Sequence, residues 1–242
     1  MAWKSHSATP ALCSTRVSRG NSLVELLVAI VLITLLAGLL LPALAQAKES
    51  ALRTSCLAKM RQAGSAMALY LGDFDDRLPD RRDLKIALPG GYRPWSGWPP
   101  SDPRAGWEAV VLAPYGAAEV FACQASRAKL GGNERVLQVD GRGHASTLWA
   151  WRFDRTTTPT PLDNFWGKSP EQAVGDLQQA NDTRIGYPQG VADVEMLVDP
   201  YFPKGIASVP ANLAGRNAHF ARRNRLMLDA HAKWMRDSRL SP

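Results

Sequence analysis

The sequence lacks the short motifs that mark many enzymes. Its 242 residues contain no nucleophile elbow, no P-loop, no dinucleotide-binding fingerprint and no HExxH metalloprotease motif. The chain also has no internal repeat and no long linker. These absences leave no specific argument for catalysis, and we expect a protein that is not an enzyme.

The sequence also lacks a dense basic block of the kind that binds nucleic acid. The formal charge is +7, and residues 1–20 contribute three of the 29 basic residues and no acidic one. The rest of the chain has 26 basic and 22 acidic residues, which gives a formal charge of +4. Arg222, Arg223 and Arg225 make only a small cluster there, so we expect no nucleic-acid partner.

One long apolar run is present, at residues 23–44. Its 22 residues suit a transmembrane helix, which needs roughly 20. Lys4, Arg16 and Arg19 all precede the run, and this asymmetry predicts a cytoplasmic N-terminus. Glu25 is the one acidic residue inside the run, and a charge in such a segment indicates a function because it is costly there.

A cleaved export signal is the competing interpretation of this run. Such signals have a shorter apolar core, roughly 7–15 residues, followed by a small-x-small cleavage site. Ala43-Leu44-Ala45 and Ala45-Gln46-Ala47 match that site. Glu25 argues against this interpretation, because an export signal has no use for an acid inside its apolar core.

A helical pattern continues beyond the run, over residues 45–71. One stripe of side chains recurs at steps of three and four residues, as expected for a helix of period 3.6: Leu52, Cys56, Met60, Ala63, Met67 and Tyr70. A single helix over residues 23–71 would be roughly 70 Å long. Its second half would bury the stripe against a head domain formed by residues 72–242.

The head domain is predicted to contain short strands. The candidates are residues 135–139, 145–153, 194–198, 225–228 and 232–235. The last two indicate a hairpin across Asp229-Ala230-His231, and Ser169-Pro170 opens a predicted helix through Gln179. We therefore expect an α+β protein in which a small antiparallel sheet packs on the long helix.

Acidic residues at strand ends suggest one metal site in the head. Asp199 and Asp229 each end a predicted strand, so adjacent strands would bring them together with His219 and His231. Mixed histidine and aspartate ligands suit a transition metal better than calcium. Turn-capping aspartates and surface histidines are the alternative, and apart from this divalent metal we expect no cofactor.

The start of the apolar run resembles the class III signal of type IV prepilins and pseudopilins. The resemblance rests on the junction Arg19-Gly20-Asn21-Ser22-Leu23-Val24-Glu25. It implies a leader of residues 1–20, cleavage between Gly20 and Asn21, and N-methylation of Asn21. It also implies an assembly helix over residues 21–44, in which Glu25 pairs with the N-terminal amine of a neighbouring subunit.

Two later segments extend the resemblance. Residues 51–64 and 70–79 are similar to the post-membrane segment of pseudopilin-like proteins abundant in Planctomycetes and Verrucomicrobia. Those proteins often carry an H-x9-DG motif near the C-terminus. Here His219 is followed by nine residues and Asp229, and Ala230 stands where glycine is expected.

The resemblance implies a structural subunit of a periplasmic fibre of the type II secretion or type IV pilus kind. The subunit would cross the bacterial inner membrane once, with its head in the periplasm. Its partners would be other pilin or pseudopilin subunits, prepilin peptidase and the inner-membrane assembly platform. Two alternatives remain: a pilin-like subunit for adhesion or DNA uptake, and a membrane-anchored periplasmic enzyme.

Cysteine is scarce, with three residues in the chain. Cys13 lies in the implied leader, so cleavage would leave the even pair Cys56 and Cys123. Such a pair is able to form a disulfide in an oxidising compartment. The sequence gives no distance between the two residues, so two buried free thiols remain the alternative.

Overall fold

The structure is a computed structural model that describes residues 22–93, 97–99, 102–116, 118–131, 135–139, 143–154, 164–183 and 186–240. The implied leader, with Gly20, and the implied new N-terminus, Asn21, lie outside the described residues. The chain divides into two compact units, Met1–Ala47 and Lys48–Pro242. The second unit is called the head unit below.

One helix, α1 (Leu23–Asp73), contains residues of both units. Its predicted end near residue 71 is correct within two residues. Pro42 lies inside the helix and does not end it, as is common in membrane helices. In the first unit, every described residue from 22 to 47 is exposed.

In the head unit, one face of α1 is buried. The buried residues are Cys56, Met60, Ala63, Gly64, Ala66, Met67, Tyr70 and Leu71. They include the predicted stripe except for Leu52, which is half-buried. Most of them join the largest hydrophobic cluster, where Trp107, Phe153 and Phe165 are fully buried.

A three-stranded antiparallel sheet lies in the head unit, in the order β3-β4-β5. Its strands are β3 (Glu195–Val198), β4 (Arg222–Met227) and β5 (Ala232–Arg236). A second sheet pairs β1 (Gln138–Val139) with β2 (Ala145–Ser146). The long helix and the small antiparallel sheets confirm the α+β prediction, and β4 and β5 form the predicted hairpin.

The predicted strand over residues 145–153 is much shorter in the structure. Only β2 belongs to a ladder, and Trp149 makes single bridges to Arg104 and to Val198. Beyond Ser146, the amide of Thr147 donates to the carbonyl oxygen of Phe121 at 2.9 Å, and the amide of Ala150 donates to that of Pro103 at 2.6 Å. Residues 145–153 therefore make backbone contacts with several separate segments of the head unit. The alternating pattern of a strand in the sequence does not predict such contacts.

Short helices complete the head unit: α2 (Arg82–Ile86), α3 (Gly106–Val111), α4 (Gln124–Leu130) and α5 (Pro170–Ala180). The described part of the head unit also contains three 3₁₀ turns, at Ala113–Tyr115, Ala118–Phe121 and Val191–Asp193. α5 confirms the helix predicted after Ser169, which caps it reciprocally with Gln172.

Candidate functional site

Ser22 and Glu25 close the first turn of α1. The backbone N–H of Ser22 donates to Oε2 of Glu25 at 3.0 Å. The hydroxyl oxygen of Ser22 accepts from the backbone N–H of Val24 at 3.3 Å. These bonds satisfy N–H groups at the helix start, where a carboxylate also complements the helix dipole. Sequence reasoning missed this role, although Ser-x-x-Glu before an apolar run is a recognised signal.

The cap leaves part of the Glu25 carboxylate available. The N–H of Ser22 donates only to Oε2, and among the described residues no group donates a hydrogen bond to Oε1. Both capping residues lie beyond Asn21, so cleavage after Gly20 would retain the cap. Glu25 is therefore able to cap its own helix and, at the same time, to accept a hydrogen bond from a donor outside the chain.

The helix that carries Glu25 is long and apolar enough to cross a membrane, judged by length and composition. None of the residues in its most apolar window is buried. Its exposed side chains include Leu27, Ile30 and Leu41, which are more than half accessible. An uncovered apolar surface of this length needs lipid or other apolar helices around it.

A buried polar cluster lies in the head unit around His219. Cys56 of α1 is disulfide-bonded to Cys123, which directly precedes α4. Nε2 of His219 lies 3.6 Å from Sγ of Cys123 and 3.2 Å from Oδ2 of Asp199. All four side chains are buried. The cluster therefore connects the long helix, the segment before α4 and the end of β3.

Two further residues hold this cluster in place. Asn224 of β4 donates its backbone N–H to Oδ2 of Asp199 at 3.2 Å and accepts the Asp199 N–H at 3.2 Å. Glu49 directs Oε1 toward Nδ1 of His219 at 4.0 Å, and its Oε2 pairs with Lys129 at 2.6 Å. His219 therefore lies between two carboxylates, one at each ring nitrogen.

The structure does not bring together the four residues of the predicted metal site. Asp199 follows Val198, which pairs with Arg225, whereas Asp229 lies beyond Met227, which pairs with Glu195. The strands are adjacent but antiparallel, so their C-terminal ends lie at opposite edges of the sheet. Asp229 instead forms a close local pair with His231 at the exposed hairpin.

A second buried charge cluster, which sequence reasoning missed, surrounds Lys85. Its ammonium donates to the carbonyl oxygens of Asp102, at 2.5 Å, and of Phe153, and lies 3.6 Å from Oδ1 of Asp154. Burial lowers the pKa of Lys85 to about 8. A lysine satisfied in this way serves to join loops, and no ligand is needed to explain it.

Glu108 of α3 is another buried ionisable residue in this region. Neither of its carboxylate oxygens has a hydrogen-bond partner in the part of the chain that the structure describes. Burial raises the pKa of Glu108 well above its ordinary value, and Lys85 opposes that shift. Glu108 is therefore protonated in the folded protein at pH values where an exposed glutamate is ionised.

The comparisons with known proteins bear on the N-terminal segment. The family model described as the prokaryotic N-terminal methylation motif matches residues 15–41. This match includes Gly20, Asn21 and Glu25, and the C-terminal His219 to Asp229 spacing lies outside it. The search of curated proteins found no match to the chain. The search of solved structures found none either.

Proposed function

Because the chain carries the N-terminal methylation motif of prepilins and pseudopilins, we propose that it is a pseudopilin-like structural subunit of a periplasmic fibre. Prepilin peptidase cleaves between Gly20 and Asn21 in this proposal, and the new amine of Asn21 is methylated. The mature subunit crosses the bacterial inner membrane once, with the head unit in the periplasm. The observation that carries the proposal is the motif at residues 15–41.

The position of Glu25 supports an assembly role. A carboxylate in an apolar segment needs a partner, and the N–H of Ser22 engages only one of its oxygens. In the fibre, the other oxygen accepts the methylated amine of Asn21 from a neighbouring subunit. This contact sets the axial register of a head-to-tail interface, which extends into a helical filament when the rotation does not close.

The exposed apolar half of α1 supports the same arrangement. A side chain such as Leu40, 65% accessible in the isolated chain, packs against lipid before assembly and against other subunit helices afterwards. Transfer between two apolar surroundings involves little loss of hydrophobic stabilisation. The fibre therefore needs a directed polar contact, such as the one at Glu25, to specify its register.

The head unit has a structural role in this proposal and no catalytic activity of its own. Several of its buried charges, such as that of Lys85, are engaged in joining elements. In the basic cluster, Arg223 and Arg225 both contact Glu195, at 3.3 and 3.5 Å. We assign the subunit to a type II secretion-like fibre. An adhesion or DNA-uptake pilus is the alternative, and detection of the fibre on the cell surface would support that alternative.

Fibre assembly by charge variants of Glu25 tests the proposal. Glu25→Gln retains an oxygen that accepts from Ser22, because glutamine also serves in capping boxes, but it removes the charge. In cells with an active peptidase and assembly platform, we expect this variant to be cleaved and membrane-inserted but absent from sheared or cross-linked fibres.

The matched control is Glu171→Gln, which removes an exposed glutamate in the first turn of α5. It should assemble like the wild type. If Glu25→Gln enters fibres as well as Glu171→Gln does, the carboxylate is not an assembly contact and its role is limited to the cap. Fibres detected outside the cell would favour the pilus alternative over the secretion fibre.

A further inference from the structure

Four side chains with metal-binding atoms meet in the core of the head unit. The sulfur atoms of Cys56 and Cys123 and a ring nitrogen of His219 all lie within 4.8 Å of one another. Asp199 adds a carboxylate oxygen 3.2 Å from Nε2 of His219. Two cysteines, a histidine and an aspartate are a donor set that zinc accepts in proteins.

The distances around His219 match those between ligands of a tetrahedral zinc ion. With bonds of about 2.3 Å to sulfur and about 2.0–2.2 Å to nitrogen and oxygen, tetrahedral angles place nitrogen about 3.5 Å from sulfur and about 3.3 Å from oxygen. Nε2 of His219 lies 3.6 Å from Sγ of Cys123 and 3.2 Å from Oδ2 of Asp199. Both distances measured from His219 are therefore those that such an ion requires.

The groups that surround the four candidate ligands also resemble those around a metal site. Histidine ligands usually present their other ring nitrogen to a carboxylate, which fixes the ring orientation. Here Nδ1 of His219 faces Oε1 of Glu49 at 4.0 Å. Within the described residues, neither that nitrogen nor Oδ1 of Asp199 has a hydrogen-bond partner, although both are buried. Buried polar atoms of this kind require an explanation.

We propose that the head unit binds one zinc ion through Cys56, Cys123, His219 and Asp199 when its disulfide is reduced. The disulfide and the metal are mutually exclusive occupants of one cluster, because both need the same two sulfur atoms. A phosphine reduces the disulfide to two thiols: it takes the oxygen atom of one water molecule to become the phosphine oxide, and the two hydrogens of that water go to the two sulfur atoms. The zinc ion then binds two thiolates, and both thiol protons pass to solvent.

This inference does not depend on the proposed fibre function. It explains why two carboxylates and two cysteines surround one buried histidine, whereas a simple hydrogen-bonded histidine needs only one of these partners. It also replaces half of the metal site predicted from sequence: Asp199 and His219 remain, and the two cysteines take the places of Asp229 and His231.

The test uses the full chain without an affinity tag, in detergent micelles, with Cys13→Ser to remove the third thiol. The protein is reduced with a phosphine under anaerobic conditions and titrated with Co²⁺, followed by Zn²⁺. We expect one equivalent of Co²⁺ to give the visible bands of tetrahedral coordination and a thiolate charge-transfer band. Zn²⁺ should abolish both, and the oxidised protein should give neither.

Variants identify the ligands. His219→Gln should weaken Zn²⁺ binding at least tenfold, since even the loss of an outer partner weakens metal sites by roughly 10- to 100-fold. His231→Gln is the matched control, because this histidine also pairs with an aspartate but lies at the exposed hairpin, and it should bind like the parent. Asp199→Asn provides a second ligand variant whose fold is checked by circular dichroism.

Two results would overturn the proposal. One is reduced parent protein that takes up no more Co²⁺ than the oxidised protein, a comparison that involves no ligand variant. The other is equal Zn²⁺ affinity for His219→Gln and His231→Gln. Neither result bears on cleavage after Gly20 or on fibre assembly, so the two proposals fail separately.

Discussion

Gly64 of α1 lies directly against the carbonyl oxygen of Ala230 in the β4–β5 hairpin. A Cβ atom on Gly64 would lie 2.4 Å from that oxygen and 2.8 Å from Cδ1 of Leu226. Both distances are shorter than van der Waals contact. The absence of a side chain at residue 64 therefore sets how closely the hairpin approaches the long helix in the head unit.

We predict that Gly64→Ala destabilises the protein. Alanine in place of a helical glycine is usually favourable by about 1 kcal/mol. Here the new methyl group meets backbone that cannot move independently, and overpacking costs about 1–3 kcal/mol. Gly72→Ala is the matched control on the same helix, because nothing lies within 4 Å of its added Cβ. Denaturant unfolding should show a lower free energy of unfolding for Gly64→Ala and no loss for Gly72→Ala. Equal free energies of unfolding for the two variants would contradict the close approach of the hairpin to Gly64.

Ala230 occupies a conformation that normally favours glycine. Its φ angle is 66°, in the left-handed region, which carries a penalty of roughly 1–2 kcal/mol for an L residue. We predict that Ala230→Gly, which completes the Asp-Gly turn, raises the free energy of unfolding by about 1 kcal/mol. Ala230→Val should lower it, because a branched side chain tolerates positive φ less well. The opposite order in an unfolding titration would show that the turn is not strained.

The disulfide is predicted to be a major source of head-unit stability. Cys56 and Cys123 are 67 residues apart in sequence, and the chain-entropy model assigns a loop of that length about 4 kcal/mol. We expect the double variant Cys56→Ser/Cys123→Ser to lose about 2–4 kcal/mol relative to oxidised wild type. Unfolding should be measured with a chelator present, which excludes any contribution from bound metal. A loss of less than about 0.5 kcal/mol in the free energy of unfolding would contradict a major stabilising role of the disulfide.

Glu108 gives a prediction with a defined pH dependence. Its pKa is raised in the folded state, so the folded protein retains a proton that the unfolded chain releases above about pH 4.5. Stability contributed by this group is complete below that pH and is lost as the pH rises toward the folded pKa. The slope is at most about 1.4 kcal/mol per pH unit.

Glu108→Gln should remove this dependence of the free energy of unfolding on pH, because the amide side chain does not titrate. We expect the variant to become progressively more stable than wild type as the pH is raised from about 4.5 toward neutrality. Glu171→Gln, at an exposed position, should parallel the wild type throughout. Parallel unfolding curves for Glu108→Gln and wild type across this range would contradict a buried, protonated Glu108.

The features that were predictable from the sequence are those encoded by local pattern. The apolar run, the stripe from Cys56 to Tyr70 and the Ser169 cap each occupy neighbouring turns of one helix, so periodicity and capping residues are sufficient. The hairpin at Ala230 was predictable for the same reason, since its two strands are adjacent in sequence.

The features that were missed depend on direction or on tertiary burial. The predicted sheet was antiparallel, but the predicted metal site did not take into account that the C-terminal ends of adjacent antiparallel strands lie at opposite edges, which separates Asp199 from Asp229. The cluster around His219 joins segments far apart in the chain, beginning at Glu49. No apolar periodicity in the sequence marks the positions of Lys85 and Glu108, so their burial follows only from the packing of the surrounding loops.

The measurement that tests the central claim most directly is the mature N-terminus. Protein extracted from membranes of cells with an active prepilin peptidase should be analysed by mass spectrometry. We predict a chain that begins at N-methylated Asn21, and the loss of that species in a Gly20 substitution. A chain that begins near Gln46 or Lys48 would contradict the account, because the apolar helix with Glu25 would then have been removed as an export signal.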